Sequence, residues 1–416
     1  MARAASGHDA GNGELLAKEK VCGYIGFDPT ADSLHIGSLT QILTLMRLQK
    51  AGHKPIALIG GATGMIGDPS GKSAERNLLD ETQLQKNVEG IEKQLRKFLD
   101  FNSGSDGAEL LNNYDWMKNY SFIHFIRDVG KHLTVNYMMA KDSVKNRLES
   151  GMSFTEFSYQ LMQAYDFYYL YTHNNCKLQM GGSDQWGNIT SGTELIRRKG
   201  GAEAFGLTTQ LVRKADGSKF GKTEGGNIWL DKARTSPYRF FQYWINTSDE
   251  DAKNFIRIFT FLPKQEVDAL VTEHEKDPGK RILQNKLAEE LTCLVHSKED
   301  YQTALGASKV LFSGGLSDFQ KLDETTFLEL FEGVPQINLN REELIQTIPV
   351  VDLLTEKSNI APSKGEARKL IQGGGLSINK VKVESQDVLL NTTHLINNKY
   401  IIIQKGKKNY FLCLVN

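Results

Sequence analysis

The sequence predicts an α/β fold in three parts: a doubly wound parallel sheet, then an all-helical domain, and last a small α+β module. In the first half, short apolar runs alternate with helix-periodic stretches ("CGYIGF", "SLTQILTLMRLQKAG", "PIALIGG"), which is the pattern of βαβ units. From "SPYRFFQYWINTSDEDAKNFIRIF" to "LAEELTCLVHSKEDYQTAL" the apolar residues keep helical spacing alone. The tail reads helix, helix, then strands, in "VVDLLTEKS", "SKGEARKLIQGGG", "LSINKVKV" and "KYIIIQKGKKNYFLCLV".

With 416 residues, 40% of them apolar and 24% charged, the chain can bury one large core and smaller ones. Residues 1–14 carry no apolar core and read as a frayed leader; 15–230 form the sheet domain. The helical domain covers 231–330, with Pro237 and Pro263 suited to first turns and Ser248 to an N-cap. Turn signals mark 331–349 as a linker, and 350–416 form the terminal module.

Lys+Arg and Asp+Glu both number 50, so the whole chain has no electrostatic bias toward nucleic acid or membrane. Any bias is local. Residues 350–416 hold ten Lys/Arg against five Asp/Glu, a surplus of five. Lys364, Arg368 and Lys369 share a helix face, and strand alternation puts Lys380 and Lys382 on one side. A small RNA-binding surface has this composition, and so does a solvated charged edge. No apolar run approaches the roughly 18 residues of a membrane span. Cys22, Cys176, Cys293 and Cys413 are far apart and form no Cys-x-x-Cys pair, which speaks against a zinc site or disulfide framework and for a reducing cytoplasm.

Ligands of doubly wound sheets bind beyond the carboxyl ends of the strands, so the loops after the apolar runs are where chemistry is expected. In "SLHIGSLTQIL", His35 and Gly37 sit at a helix start, where unpaired N–H groups attract phosphate and a glycine admits it; Ser38 is equally an ordinary N-cap. "IGGATGMIGDPSGKS" fits neither phosphate-loop pattern: Gly67 and Gly71 enclose three residues where a Walker loop has four, and Gly61, Gly64 and Gly67 are evenly spaced. "DPSG" reads as a type I turn that leaves Lys72 and Arg76 on one side of a following helix.

"SFTEFSYQLMQAYDFYYLYTH" opens with a capping box, Ser153 and Glu156, and continues as an aromatic helix. Tyr159, Gln163 and Asp166 make one polar stripe on it, which is either an ordinary water-facing stripe or, since the flanking faces are strongly apolar, a buried one that needs partners such as a small polar ligand. "KLQMGGSDQWGNI" is a strand ending in glycines and then Ser183, Asp184 and Gln185, a place where an Asp commonly holds a ribose hydroxyl; "SDQWG" reads equally as a turn, though Trp186 among polar residues and glycines is unusual for one. "KADGSKFGKTEGGNIWL" sets Lys219 and Lys222 in a glycine-rich loop that reads as mobile; lysines there can follow a polyphosphate or merely decorate the surface.

Taken together, "HIGS" and the later "KFGKT" resemble the two signatures of class I aminoacyl-tRNA synthetases. The set "YIGFDPTADSLHIG", "GGATGMIGDPSGK", "FTEFSYQLMQAYDF", "GGSDQWGN" and "KFGKT" closely resembles the bacterial-type tyrosyl-tRNA synthetase family, over residues 21–230 and more loosely beyond. The resemblance implies a Rossmann-like catalytic domain, an anticodon-binding helical domain and a C-terminal module of ribosomal-protein type. It implies that Tyr24 and Asp166 bind the phenol of L-tyrosine, that Asp68, Tyr159 and Gln163 hold its ammonium group, and that Gln185 lies toward its carboxylate. Gly26, Asp28, Thr30, His35, Gly37, Gly182 and Asp184 would surround ATP. Lys72, Arg76, Lys219, Lys222 and Thr223 would engage the β and γ phosphates, with Mg2+ arriving on ATP and no dedicated protein site. The further implied partners are tRNA(Tyr) and a second copy of the chain, through residues 119–154. Ser38 departs from the second histidine of the first signature, and Phe220 and Gly221 from the Met and Ser of the second. The tryptophanyl relatives share the architecture, but the pairing of Tyr24 with Asp166 suits a phenol better than an indole. An RNA-binding protein on an inactive scaffold is a rival reading, opposed by the retention of His35, Gly37, Asp68, Asp184, Lys219 and Lys222.

Overall fold

The structure is a computed structural model that describes residues 3–4, 9–70, 79–148, 151–218, 220–223, 226–313, 315–332, 334–406 and 409–416. Its main sheet contains β1 (Arg3–Ala4), β2 (Cys22–Phe27), β3 (Lys54–Ile59), β4 (Glu109–Asn112), β5 (Cys176–Gly182) and β6 (Phe205–Thr209), in the order β1-β6-β5-β2-β3-β4. Strands β2 to β6 pair in parallel, and β1 alone runs antiparallel, along the open edge of β6. The residues expected as a frayed leader therefore supply an edge strand and part of the Asp9–Lys18 helix; an unpaired strand edge is a ready acceptor for such a segment.

Strand order reverses at β2, which has β3 on one side and β5 on the other. That reversal opens a crevice at the strand ends. Helices cover the sheet, so a central strand such as β3 buries an apolar run, Ile56, Ala57, Leu58 and Ile59. The Phe154–Asn174 and Trp186–Gly200 helices place Phe167, Leu170 and Ile196 in one core with Tyr24, Ile56, Leu58 and Cys176 of the strands. These two helices cross closely at Gly192, where a Cβ would meet Phe167 at 2.7 Å.

Ser153 caps the Phe154–Asn174 helix by accepting from the Glu156 N–H at 3.1 Å. The expected capping box is half realised in side-chain terms, because the Glu156 carboxylate takes the buried guanidinium of Arg147 at 2.8 and 2.7 Å. A buried carboxylate needs that full-charge partner more than a single backbone N–H.

By its contacts the chain divides into two units: Met1–Thr235 with Thr247–Leu283, and Ser236–Asn246 with Gln284–Asn416. The first unit runs past the boundary expected at 230 and includes the helices Asp249–Phe259 and Lys264–Lys276. Arg47 donates to the carbonyls of Ile258 (2.6 Å) and Thr260 (3.2 Å), and Phe220 stacks on Phe259 with ring centres 5.0 Å apart. A short hairpin, β7 (Lys222–Thr223) with β8 (Gly226–Asn227), also belongs to this unit.

In the second unit, β9 (Gln336–Leu339) pairs in parallel with β15 (Asn409–Val415) at one end of a five-stranded sheet ordered β12-β11-β14-β15-β9. The remaining strands are β10 (Ile348–Pro349), paired with β13 (Leu389–Leu390), and β11 (Leu376–Ile378), β12 (Val381–Lys382) and β14 (Tyr400–Lys405). The span read as a linker is thus part of the terminal sheet, since its alternating Ile337 and Leu339 are apolar enough to be buried there. The expected helix–helix–strand order of the tail is present, with Ser363 capping the Lys364–Gln372 helix. Among the described residues no helix is long and apolar enough to cross a membrane.

Candidate active site

Where β2 and β5 end, a cavity of about 340 Å³ opens at the strand-order reversal. Tyr24, Gly26, Asp28, Thr30, His35, Gly37, Asp68, Tyr159, Gln163, Asp166, Gly182, Asp184 and Gln185 all line it. Five separate stretches of sequence are brought to one place by the sheet.

The floor is Asp166, which is 2% exposed, and Tyr24. Asp166 Oδ2 accepts from Asn113 Nδ2 at 2.9 Å and Oδ1 from Trp116 Nε1 at 2.8 Å. Burial pushes its pKa up to about 7, while those two donors and the nearby Asp28 charge act as smaller influences, the donors lowering it and Asp28 raising it. The Tyr24 hydroxyl is buried and has no hydrogen-bond partner among the described residues. Burial first, and the charge of Asp166 second, hold its pKa well above the usual phenol range, so it is a neutral donor.

One wall is a chain of amides and carboxylates. Gln185 Nε2 donates to Asp68 Oδ2 (2.6 Å), Gln163 Nε2 to Gln185 Oε1 (3.2 Å), and Asn188 Nδ2 to Gln163 Oε1 (3.0 Å). Asp68 Oδ1 accepts from the Ser70 N–H at 3.0 Å, an Asx turn; the type I turn expected over "DPSG" needs Gly71, which lies outside the described residues. Asp28 ties the strand end to the helix stripe: its Oδ2 accepts from the Tyr159 hydroxyl and its Oδ1 from Thr63 Oγ1, both at 2.8 Å.

At the rim, His35 caps the Ile36–Lys50 helix, its Nδ1 accepting from the Gly37 N–H at 2.9 Å. A neutral ring that accepts at Nδ1 carries its proton on Nε2 and is a donor there. The second signature lies beside the first: the Ile228 N–H donates to Gly221 O (3.3 Å), the Ile36 N–H to Ile228 O (2.9 Å), and His35 bridges Trp229. The loop read as mobile thus contains a short hairpin at Lys222 and Thr223, whose backbone alone is described. Lys72, Arg76 and Lys219 lie outside the described residues.

The tail lysines divide. Lys364 is paired with Asp352 (2.7 Å) and Glu356 (2.8 Å), while Arg368 and Lys369 are exposed. Lys380 does not lie on a strand with Lys382: Asn379 and Lys380 have φ of 50° and 66°, a tight turn between β11 and β12. Such turns require positive φ at both central residues, which a reading by alternation misses. Lys380 Nζ instead donates to the Tyr410 hydroxyl at 2.7 Å.

Sequence reading missed Asn113, Trp116 and Asn188, all in the polar network, and Gln41, Gln179 and Leu211 of the lining. Asn113 follows the apolar end of β4 and fell within reach of the strand-end rule; Trp116 gave no signal.

The chain matches two family models: tRNA synthetases class I (W and Y) over residues 16–313, and the tyrosine–tRNA ligase C-terminal domain over residues 326–413. It is 59% identical over 410 residues to the tyrosine–tRNA ligase of Bacteroides fragilis, covering 97% of this chain and 95% of that protein. It is also 59% identical over 409 residues to that of Cytophaga hutchinsonii, covering 98% and 96%. A crystal structure of a C-terminally truncated Aspergillus nidulans mitochondrial tyrosyl-tRNA synthetase superposes with a TM-score of 0.64 at 31% identity, covering 71% of this chain and 87% of that one. The chain belongs to the tyrosine–tRNA ligase family of class I tRNA synthetases.

Proposed function

We propose that the ligase activity of this chain resides in the cavity beyond β2 and β5, where L-tyrosine and ATP meet. The observation that carries the assignment is an unpartnered buried hydroxyl, Tyr24, beside a buried carboxylate, Asp166. A phenol entering there accepts from Tyr24 and donates to Asp166, and a phenyl ring leaves the Tyr24 hydroxyl unpaired and brings the carboxylate no further donor. Asp68, Tyr159 and Gln163 then face the ammonium group, with Gln185 toward the carboxylate. Gly26, Asp28, Thr30, Gly37, Gly182 and Asp184 surround the nucleotide, and Leu211 offers an apolar wall to the base.

The tyrosine carboxylate attacks the α-phosphorus of ATP, a new C–O–P linkage forms, and the bond to pyrophosphate breaks. The nucleophile is already ionised and needs no general base. The chain's contribution is alignment and donors that tighten as charge moves to the leaving group: His35 at the α-phosphate, and Lys72, Arg76, Lys219, Lys222 and Thr223 along the β and γ phosphates. Magnesium enters with ATP as part of the substrate. A ribose hydroxyl of the 3′-terminal adenosine of tRNA(Tyr) next takes the tyrosyl group, releasing AMP. The helices of 231–330 serve the anticodon, and Arg368 and Lys369 of the tail, with Lys364, Lys380 and Lys382 nearby in sequence, serve the RNA backbone. The site of action is the cytoplasm. Tyrosine-dependent exchange of labelled pyrophosphate into ATP tests the reading: exchange with tyrosine supports it, and exchange with tryptophan only, or none, contradicts it.

The same chain is proposed to act as a homodimer through residues 119–154. Phe122, Ile123, Val135 and Phe154 are 66%, 75%, 58% and 67% exposed there, and apolar side chains grouped at such exposure mark an association face. Ile123→Asp is expected to convert a dimer to a monomer in size-exclusion light scattering; an unchanged mass contradicts the assignment.

Tyrosine binding should follow the Asp166 charge. The carboxyl is protonated below about pH 7 and ionised above it. Its folded pKa lies above the ordinary value of 3.8, so its contribution to the stability of the free protein is present at low pH and lost as pH rises through about 7. A bound phenol donates to the charged form, so the rise in Tm on adding tyrosine should be larger at pH 8 than at pH 6. Asp166→Asn should flatten that difference; a wild-type shift that is the same at both pH values contradicts the role.

A further inference from the structure

We propose that Trp229 is a positioning residue for the reaction, holding the His35 ring in the orientation from which it donates, an inference that rests on the proposed role of His35 at the α-phosphate. The backbone sets the two side by side. Residues 228–231 run antiparallel to 33–36: the Ile36 N–H donates to Ile228 O (2.9 Å), the Leu230 N–H to Leu34 O (2.8 Å) and the Asp231 N–H to Ser33 Oγ (3.3 Å). Trp229 therefore stands directly opposite His35, and the two rings meet edge to face, with centres 6.0 Å apart and planes at 67°.

The helix cap fixes one atom of the imidazole, Nδ1, and the ring settles against bare Gly37, where a Cβ would lie 2.6 Å from Cε1 and 2.8 Å from Nδ1. One hydrogen bond fixes a point and not a plane, and the Nε2–H that faces the substrate swings with any tilt about it. An aromatic edge against the ring restricts that tilt. Trp229 is itself braced: the guanidinium carbon of Arg234 lies 4.8 Å from the centre of its ring, Arg234 pairs with Asp32, and the Trp229 N–H donates to Thr235 Oγ1 at 2.9 Å. Asp32 matches the Arg234 charge, so what the arginine passes to the histidine through Trp229 is placement. The same segment leads directly out of β8, whose partner β7 holds Lys222 and Thr223. The contact between Trp229 and His35 thereby sets the second signature in register with the first.

The experiment measures kcat and KM of tyrosine-dependent pyrophosphate exchange for the wild-type chain, Trp229→Leu, Trp229→Phe, Arg234→Gln and His35→Asn, and for the doubles that join His35→Asn to Trp229→Leu and to Arg234→Gln. Trp229→Leu should lower kcat about tenfold with the KM of each substrate within about twofold, since a small misalignment of a donor acts on rate before binding. Trp229→Phe, which keeps an aromatic edge, should recover most of that rate. Arg234→Gln, at a side chain 40% exposed, should lose about threefold. In the His35→Asn background either substitution should cost less than about twofold, because the ring being positioned is gone. A loss undiminished in that background, a loss confined to KM, or a wild-type kcat in Trp229→Leu would overturn the role of Trp229 while leaving the active-site assignment standing. Should Trp229→Leu yield no folded protein, the Arg234→Gln cycle decides alone, by the same criterion. Absence of exchange in the wild-type chain, or full rate in His35→Asn, would instead overturn the reading on which the inference rests.

Discussion

Asp166→Ala is expected to weaken tyrosine binding by about 10²- to 10³-fold while leaving ATP binding within about twofold, measured by titration of each ligand separately. The loss has two sources. The phenol hydroxyl gives up a charge-assisted bond made in a water-excluded pocket, where such a bond counts for more than on the surface. Asn113 Nδ2 and Trp116 Nε1, which now hold the carboxylate at 2.9 and 2.8 Å, lose that acceptor, so the floor itself is disordered around the ligand. Removing the carboxylate also relieves the cost of burying it, so the thermal stability of the free protein should change far less than the affinity does. The preference for tyrosine over phenylalanine should fall sharply with it, because only the Tyr24 hydroxyl is left to pair with the phenol. Equal losses in tyrosine and ATP affinity would show a general collapse of the cavity and count against the pocket assignment.

His35→Ala should lower kcat by about 10²- to 10³-fold with little change in KM for either substrate, the pattern of a donor that acts as charge develops. The histidine has a second job as N-cap of the Ile36–Lys50 helix, so the alanine variant should also lose about 1 kcal/mol of stability. His35→Asn separates the two effects. Asparagine caps helices well and should restore the stability, but its amide is shorter than the ring and should leave most of the rate deficit. A rate recovered in step with stability would show that His35 matters only as a cap.

The parts of this molecule that were legible in its sequence share a physical origin. Strands β2, β3 and β5 are largely buried, so they appear as short, mostly apolar runs, and their carboxyl ends fix where a ligand crevice must open. The stripe of Tyr159, Gln163 and Asp166 was visible because polar residues on an otherwise apolar helix demand partners. What they would bind is not visible from spacing; the resemblance alone implies it. The second layer was hidden, because Asn113 and Trp116 reach Asp166 across 53 and 50 positions of chain and no local pattern encodes such a contact. The tail shows a different failure. Alternation in "INKVKV" describes a strand only if the backbone stays extended, and two successive positive φ angles at Asn379 and Lys380 turn the chain back on itself. Similarly, 331–349 looked like a linker since β9 is a short strand whose partner, β15, lies at the other end of the terminal module.

The account stands on one arrangement, a single cleft that presents an amino-acid carboxylate to the first phosphorus of ATP. A crystal of the chain soaked with a non-hydrolysable tyrosyl-adenylate analogue tests it most directly. Density should place the phenol between Tyr24 and Asp166, the adenosine over Gly182 and the phosphate link near His35. Density for the analogue anywhere else on the chain, or with its two ends reversed in the cleft, would contradict it.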